Sequence, residues 1–156
     1  EFDKILASAF DDFTQNGKDF AVLFLDADKF KSVNDTHGHA VGDAVLIELA
    51  KRTTKVVADN GTVCRYGGEE FVILLPYVEI DDAMFLAEQI RAKIEQSELQ
   101  LDSLVLRATV SVGVGSKPPA EGENCKDLIA AVDAALYRAK DAGRNNVQGA
   151  LENMRS

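Results

Sequence analysis

A chain of 156 residues, 46% hydrophobic and 28% charged, has the length of one domain and the composition of a globular one, which excludes disorder and a two-domain layout. Its formal charge of −9 argues against a general nucleic-acid binder, which needs a basic surface, but not against a small anionic ligand, since bound cations can invert a local field. No apolar run approaches the roughly 20 residues that cross a bilayer and no signal peptide opens the chain, while Cys64 and Cys125, far apart and in no CxxC pattern, read as reduced thiols of a cytoplasmic domain.

Phe2, Ile5, Leu6, Ala9, Phe10 and Phe13 recur at helical spacing, which predicts an amphipathic helix over 2–15, ended by Asn16-Gly17. The continuous apolar run 21–25 predicts a buried strand. Val41, Ala44, Val45 and Leu49 form one stripe of a helix over 40–58. Two strands follow, 62–66 and 71–75, around Gly67-Gly68, a hairpin dipeptide whose glycines tolerate positive φ. A helix over 81–96 opens with Asp81-Asp82. Apolar and polar residues alternate over 106–114, which predicts a strand. The stretch 116–124, with Lys117-Pro118-Pro119, reads as a loop. A helix over 126–142 stops at Gly143, and a short last strand holds Val147.

The order is α, then β-α-β-β-α-β, then α-β. The central six elements form a split βαβ unit, so the expected fold class is α+β: a ferredoxin-like βαββαβ core with a mostly antiparallel central sheet flanked by helices. A right-handed crossover makes the first two core strands parallel. The hairpin after the second strand then lies at the same sheet edge as the C-terminal end of the first. Asp26 and Asp28 are thus expected to converge on Glu69 and Glu70. Four carboxylates at one edge repel one another unless cations sit among them, which points to hard divalent cations with oxygen ligands, Mg²⁺ first.

These residues also carry a family resemblance. Leu25-Asp26-Ala27-Asp28-Lys29-Phe30-Lys31, Asn34-Asp35, Gly38-His39, Gly42-Asp43 and Arg65-Tyr66-Gly67-Gly68-Glu69-Glu70-Phe71 resemble the GGDEF domain of diguanylate cyclases in its GGEEF form. Ser111-Val112-Gly113-Val114, the run from Asp133 to Lys140, and Gly143-Arg144-Asn145 resemble later blocks of that family in the same order. A Gly-Gly pair alone carries no information; Gly-Gly-Glu-Glu-Phe together with the other stretches in the same order does. The resemblance implies a ferredoxin-like fold of the nucleotidyl-cyclase or polymerase-palm type. It also implies an enzyme that joins two GTP molecules into cyclic di-GMP and releases two pyrophosphates. Each 3′-hydroxyl attacks the α-phosphate of the other nucleotide across a two-fold dimer, in a reaction that rests on positioning and charge stabilisation.

By this resemblance Asp26, Glu69 and Glu70 hold two Mg²⁺ or Mn²⁺ ions per half-site, with the Ala27 carbonyl as a further ligand. Glu69 is the position commonly given the proton-acceptor role, Glu70 completes the metal site or assists deprotonation, and Asp28 supports them from behind. Asn34 and Asp43 resemble guanine readers: a carboxylate accepts from guanine's adjacent N–H donors and an amide serves both donor and acceptor. His39 matches a substrate-contacting position; with His37 it makes too few ligands for zinc. Phe30 and Lys31 follow the metal carboxylate in a turn that presents backbone N–H groups to phosphate, with Lys31 offsetting the α-phosphate. Lys140 and Arg144, four apart on one helix and so on one face, address the β- and γ-phosphates. Arg65 braces the hairpin or contacts phosphate, and Gly67 and Gly68 let triphosphate approach the backbone.

Two family features are absent. The Arg-x-x-Asp pair of a product-binding inhibitory site falls on Ala58 and Gly61, neither of which can clamp cyclic di-GMP. The Asp-x-Leu-Thr-Gly-Leu-x-Asn-Arg start is also missing, so the chain is expected to be one domain, 1–156, at the C-terminal end of a larger signalling protein. That protein would carry an N-terminal sensory or receiver domain and could be membrane-anchored. Two readings compete: an active cyclase that works as a transient homodimer, and a catalytically silent module that binds GTP or cyclic di-GMP.

Overall fold

The computed structural model describes residues 2–16, 19–116 and 125–151. Its elements run α1 (Phe2–Asn16), β1 (Phe20–Ala27), α2 (Phe30–His37), α3 (His39–Val57), a single 3-10 turn (Ala58–Asn60), β2 (Thr62–Arg65), β3 (Glu70–Pro76), α4 (Ile80–Gln96), β4 (Leu99–Leu101), β5 (Leu104–Leu106), β6 (Val110–Ser116), α5 (Cys125–Asp141) and β7 (Val147–Gly149). The five-stranded sheet has the order β2-β3-β1-β6-β7. β1 is central and antiparallel to both β3 and β6, and β7 adds in parallel to β6. Strands β2, β3, β1 and β6 give the ferredoxin-like arrangement expected from the element order, with β1 and β2 running the same way on either side of β3.

The pleat divides β1 between two cores. Ala21, Leu23, Leu25 and Ala27 pack with Val45, Leu46 and Leu49 of α3 and with Ala83, Ala87, Ile90 and Ile94 of α4. Phe20, Val22 and Phe24 face the other way, onto Leu6 of α1 and Leu128, Val132 and Leu136 of α5. A strand buried on both faces reads as a continuous apolar run, which is why 21–25 shows no alternation. β6 lies close under α5 because Gly113 has no side chain: a Cβ there would run into the backbone of Val132 and Leu136.

Three local features depart from the sequence reading. α2 was not expected; it is a short helix of 8 residues, below the length at which a periodic stripe is legible. The strand expected over 106–114 is two strands. Leu106 ends β5, which pairs with β4 in a separate two-stranded sheet, and β6 starts at Val110. Alternation runs through both, so periodicity alone cannot place the break. Gly67 and Gly68 do not adopt positive φ: the described positive-φ glycines are Gly38 and Gly143. The connection between β2 and β3 spans four residues, and the longer loop needs no mirror-image turn.

Of the expected loop 116–124, Ser116 ends β6 and the rest lies outside the described residues, as do Gly17 and the side chain of Cys125. Cys64 is a free thiol. Among the described residues no helix is long and apolar enough to cross a membrane.

Candidate active site

β1 ends in Asp26 and Ala27, and the β1–β3 register sets Asp26 opposite Glu70. The Ala27 amide donates to the Glu69 carbonyl at 3.2 Å, which ties the hairpin to the strand end. Strand parity puts Asp26 on the same face as Phe24, the face covered by α5. There Lys140 of α5 pairs with Asp26 Oδ2. Asp26 is 4% exposed, and its Oδ1 is buried without a hydrogen-bond partner. A buried carboxylate oxygen with no donor is costly unless a cation or donor approaches it.

The neighbouring carboxyls register this crowding. Burial, then the charge of Asp26 and a hydrogen bond with it, push the Glu69 carboxyl above its ordinary range; Glu70 adds to the shift and Lys140 opposes it. Burial, then Asp26 and Asp133, push Glu70 up in the same way, again against Lys140. Burial pulls the Lys140 ammonium down, but its hydrogen bond to Asp26 and the charges of Asp26, Glu70 and Glu69 together hold it above its usual value. An orphaned buried oxygen beside two carboxyls that resist ionisation is an oxygen-donor set suited to a hard divalent cation.

The expected edge of four carboxylates is corrected in one member. Asp28 does not join Glu69 and Glu70. It accepts from Thr109 Oγ1 at 2.7 Å, Ser111 Oγ at 2.6 Å and the Asn145 amide at 3.0 Å. β1 stops at Ala27, and the Asp28 amide turns onto the Thr109 carbonyl at 3.0 Å, so Asp28 faces β6 rather than β3. Among the described residues no three acidic, histidine or cysteine side chains form a ready-made metal cluster; Lys140 supplies the counter-charge at Asp26 instead.

Lys29 turns the chain through φ 55 into α2. Phe30, buried at the helix start, packs into the core shared with α3 and α4. Lys31 is exposed and lies 3.9 Å from Asp35. One turn on, Asn34 carries a second orphan, a buried Oδ1 with no donor. It lies over Gly42 of α3, where a Cβ would overlap Asn34 Oδ1 and come within 3.1 Å of Phe30. Gly42 thus makes room for the Asn34 amide. Asp43, next in the chain, is exposed, as is His39 at the start of α3.

A second correction concerns Lys140 and Arg144. α5 ends at Asp141, so they do not share a helix face. Gly143 at φ 109 and Arg144 at φ 64 reverse the chain, with the Arg144 amide donating to the Ala139 carbonyl at 3.1 Å. Gly143 ends the helix as expected of a glycine that enters the left-handed region. Arg65 Nη2 donates to the Gly68 carbonyl at 2.8 Å, which braces the hairpin. A side chain at 67 or 68 would meet nothing within 4 Å, so these glycines leave the hairpin backbone open to approach. A Cβ at Gly61 would overlap the Leu74 carbonyl, so position 61 cannot take the aspartate of the missing Arg-x-x-Asp pair without rearranging.

Two residues had no assigned role in the sequence reading. Asp133 of α5 adds its charge to Glu70. Asn145 holds Asp28 and reaches α4; its signal was an asparagine two residues after Gly143, a residue type enriched at left-handed positions.

The family model described as diguanylate cyclase, GGDEF domain, matches residues 1–146. Diguanylate cyclase A of Treponema denticola is 39% identical over 134 residues, which cover 86% of this chain and 36% of its own length. Diguanylate cyclase DgcM of Escherichia coli is 43% identical over 134 residues, covering 85% of this chain and 31% of its own. The chain therefore spans about a third of the length of these curated relatives. Among solved structures, the GGDEF domain of DgcB from Caulobacter crescentus, in complex with c-di-GMP, superposes with a TM-score of 0.89 at 34% identity, over 96% of this chain and 88% of that one.

Proposed function

Because this chain belongs to the GGDEF family of diguanylate cyclase domains, we propose that it condenses two GTP molecules into cyclic di-GMP. Each 3′-oxygen forms a bond to the other nucleotide's α-phosphorus, the bond to pyrophosphate breaks, and the hydroxyl proton passes to a base. The observation that carries this reading is the Asp26 edge: a buried, partnerless Oδ1 opposite Glu70 and beside Glu69.

Asp26, Glu69 and Glu70, with the Ala27 carbonyl, would hold two Mg²⁺ or Mn²⁺ ions. Bound there, the ions supply positive charge to the attacking and leaving oxygens. Glu69 takes the 3′-hydroxyl proton on a carboxylate oxygen that the ions leave free. Asn34, whose Oδ1 lacks a partner, and Asp43 read the guanine edge, with His39 beside them. Adenine lacks guanine's donor pair, so ATP leaves these acceptors unpaired. Phe30 and Gly68 border the triphosphate, Lys31 offsets charge at the α-phosphate, and Lys140 and Arg144 address the outer phosphates.

One domain holds one GTP, so two copies must face each other across a two-fold axis. The domain acts in the cytoplasm as part of a longer signalling protein, whose N-terminal region sets the encounter. The test is to incubate the domain with GTP and Mg²⁺ over a wide protein range, alone and fused to a dimerising coiled coil, and chromatograph the products. Cyclic di-GMP and pyrophosphate should form, at a rate steeper than proportional to protein, and vanish in Glu69→Ala. GTP bound without product, even in the forced dimer, overturns the reading in favour of a silent nucleotide-binding module.

A further inference from the structure

The turn after α5 is unusual in its backbone. Gly143, Arg144 and Asn145 follow one another at φ 109, 64 and 48. Left-handed conformations at non-glycine residues persist where their surroundings over-determine them. Here the surroundings are a hydrogen-bonded chain that reaches across the fold. Asn145 donates its amide to Asp28 Oδ2 at 3.0 Å and its Nδ2 to Glu95 of α4. Arg91 of α4 donates from Nη1 to Asn145 Oδ1 at 2.9 Å and to Glu95 Oε1 at 3.2 Å. Two further bonds, at 2.8 and 2.6 Å, fix its guanidinium on Glu88. Asp28, satisfied by Thr109 and Ser111 as well, closes the path two residues from Asp26. Arg91 is 15% exposed in its side chain, so these contacts are partly shielded from water, where charge-assisted bonds are strongest.

We propose that Arg91 and Asn145 are positioning residues for the outer-phosphate end of the site. They clamp the 143–145 turn onto Asp28 and thereby hold Arg144 in place for the β- and γ-phosphates. This rests on the reading of Arg144 as a phosphate ligand given above. Arg91 suits the task because its planar fork can serve Glu88, Glu95 and Asn145 at once, which a lysine cannot. Neither residue is called upon to touch nucleotide.

The experiment measures the affinities of GTP and GMP, each with Mg²⁺, by calorimetry for the wild type, R91K, N145G and E95Q. Thermal melts check that each variant is folded. R91K keeps the charge and loses the fork. N145G keeps access to positive φ and loses the side chain, so it carries the test if R91K fails to fold. Both should lose roughly tenfold of the preference for GTP over GMP, the scale of one charge-assisted bond, with GMP affinity unchanged. E95Q keeps only one of the two acceptor oxygens that Arg91 and Asn145 use and should lose a smaller part of the preference. Variants that retain the wild-type preference, or that lose GTP and GMP affinity in equal measure, overturn the clamp while leaving the phosphate assignment standing. A wild type that binds GTP no better than GMP sinks the phosphate assignment and the clamp together.

Discussion

Asp26 gives one carboxylate oxygen to the ammonium of Lys140 and keeps the other buried without a partner. The two residues come from the central strand and the last helix, 114 positions apart in the chain (140 − 26). The pairing makes Lys140 the internal counter-charge of the acidic edge, and its removal leaves a buried charge uncompensated.

Lys140→Met should therefore destabilise the domain in EDTA, by about 1–2 kcal/mol; a fully buried pair would cost more, but Lys140 is partly exposed. Saturating Mg²⁺ should recover most of the loss, because a cation at Asp26 replaces the missing charge. Urea denaturation with and without Mg²⁺ measures both effects. A variant as stable as wild type in EDTA would show that the ion pair contributes nothing.

The acidic edge also sets a pH dependence. Glu69 and Glu70 bind protons more tightly in the folded chain than in the unfolded one, through burial first and Asp26 second. The folded state then holds more protons than the unfolded state above the ordinary glutamate range. The stabilisation is present below that range and is lost as pH rises through the raised values. Glu88, held low by its hydrogen bond with Arg91, and Glu95, held low by Asn145 and then Arg91, act with the opposite sign at more acid pH. Glu70→Gln should flatten the loss on the alkaline side and leave the acid side alone, as read by melting temperature against pH in EDTA. A slope on the alkaline side that the substitution does not change contradicts the assignment.

Gly42→Ala separates binding from folding. Alanine is the better helix residue by about 1 kcal/mol, yet its Cβ would overlap Asn34 Oδ1. The Asn34 side chain is free to swing aside, so stability should change by less than about 1 kcal/mol. GTP affinity should fall about tenfold as one guanine contact is lost. Unchanged GTP affinity by calorimetry would remove Asn34 from the base-reading site.

Gly113→Ala makes the reverse case. Its Cβ would meet the backbone of Val132 and Leu136, which cannot rotate away. β6 and α5 must separate, at a cost of roughly 1–3 kcal/mol, and the shift displaces Lys140 on the same helix. Urea denaturation should show the loss; a stability equal to wild type would mean the helix accommodates the methyl group.

Much of the layout was legible from residues alone. Strand and helix periods placed β1, β3, α3, α4 and α5, and the handedness of a βαβ crossover brought Asp26 to Glu70, a pairing the register contains. These features follow from local sterics and chain connectivity, which short stretches of sequence carry. α2 and the β4–β5 hairpin were too short for a period to declare itself. Which neighbour each charged group meets was decided by tertiary structure. Asp28 turns to Thr109, Ser111 and Asn145 instead of the carboxylates, Arg144 leaves the helix that carries Lys140, and Arg91 reaches Asn145 across 54 positions of chain. Residue spacing gives a side chain its face, but its partner depends on where a strand stops, where a helix ends and which distant element packs above it. Those choices arise from the packing of the whole domain, and they give the acidic strand edge its own counter-charge in Lys140.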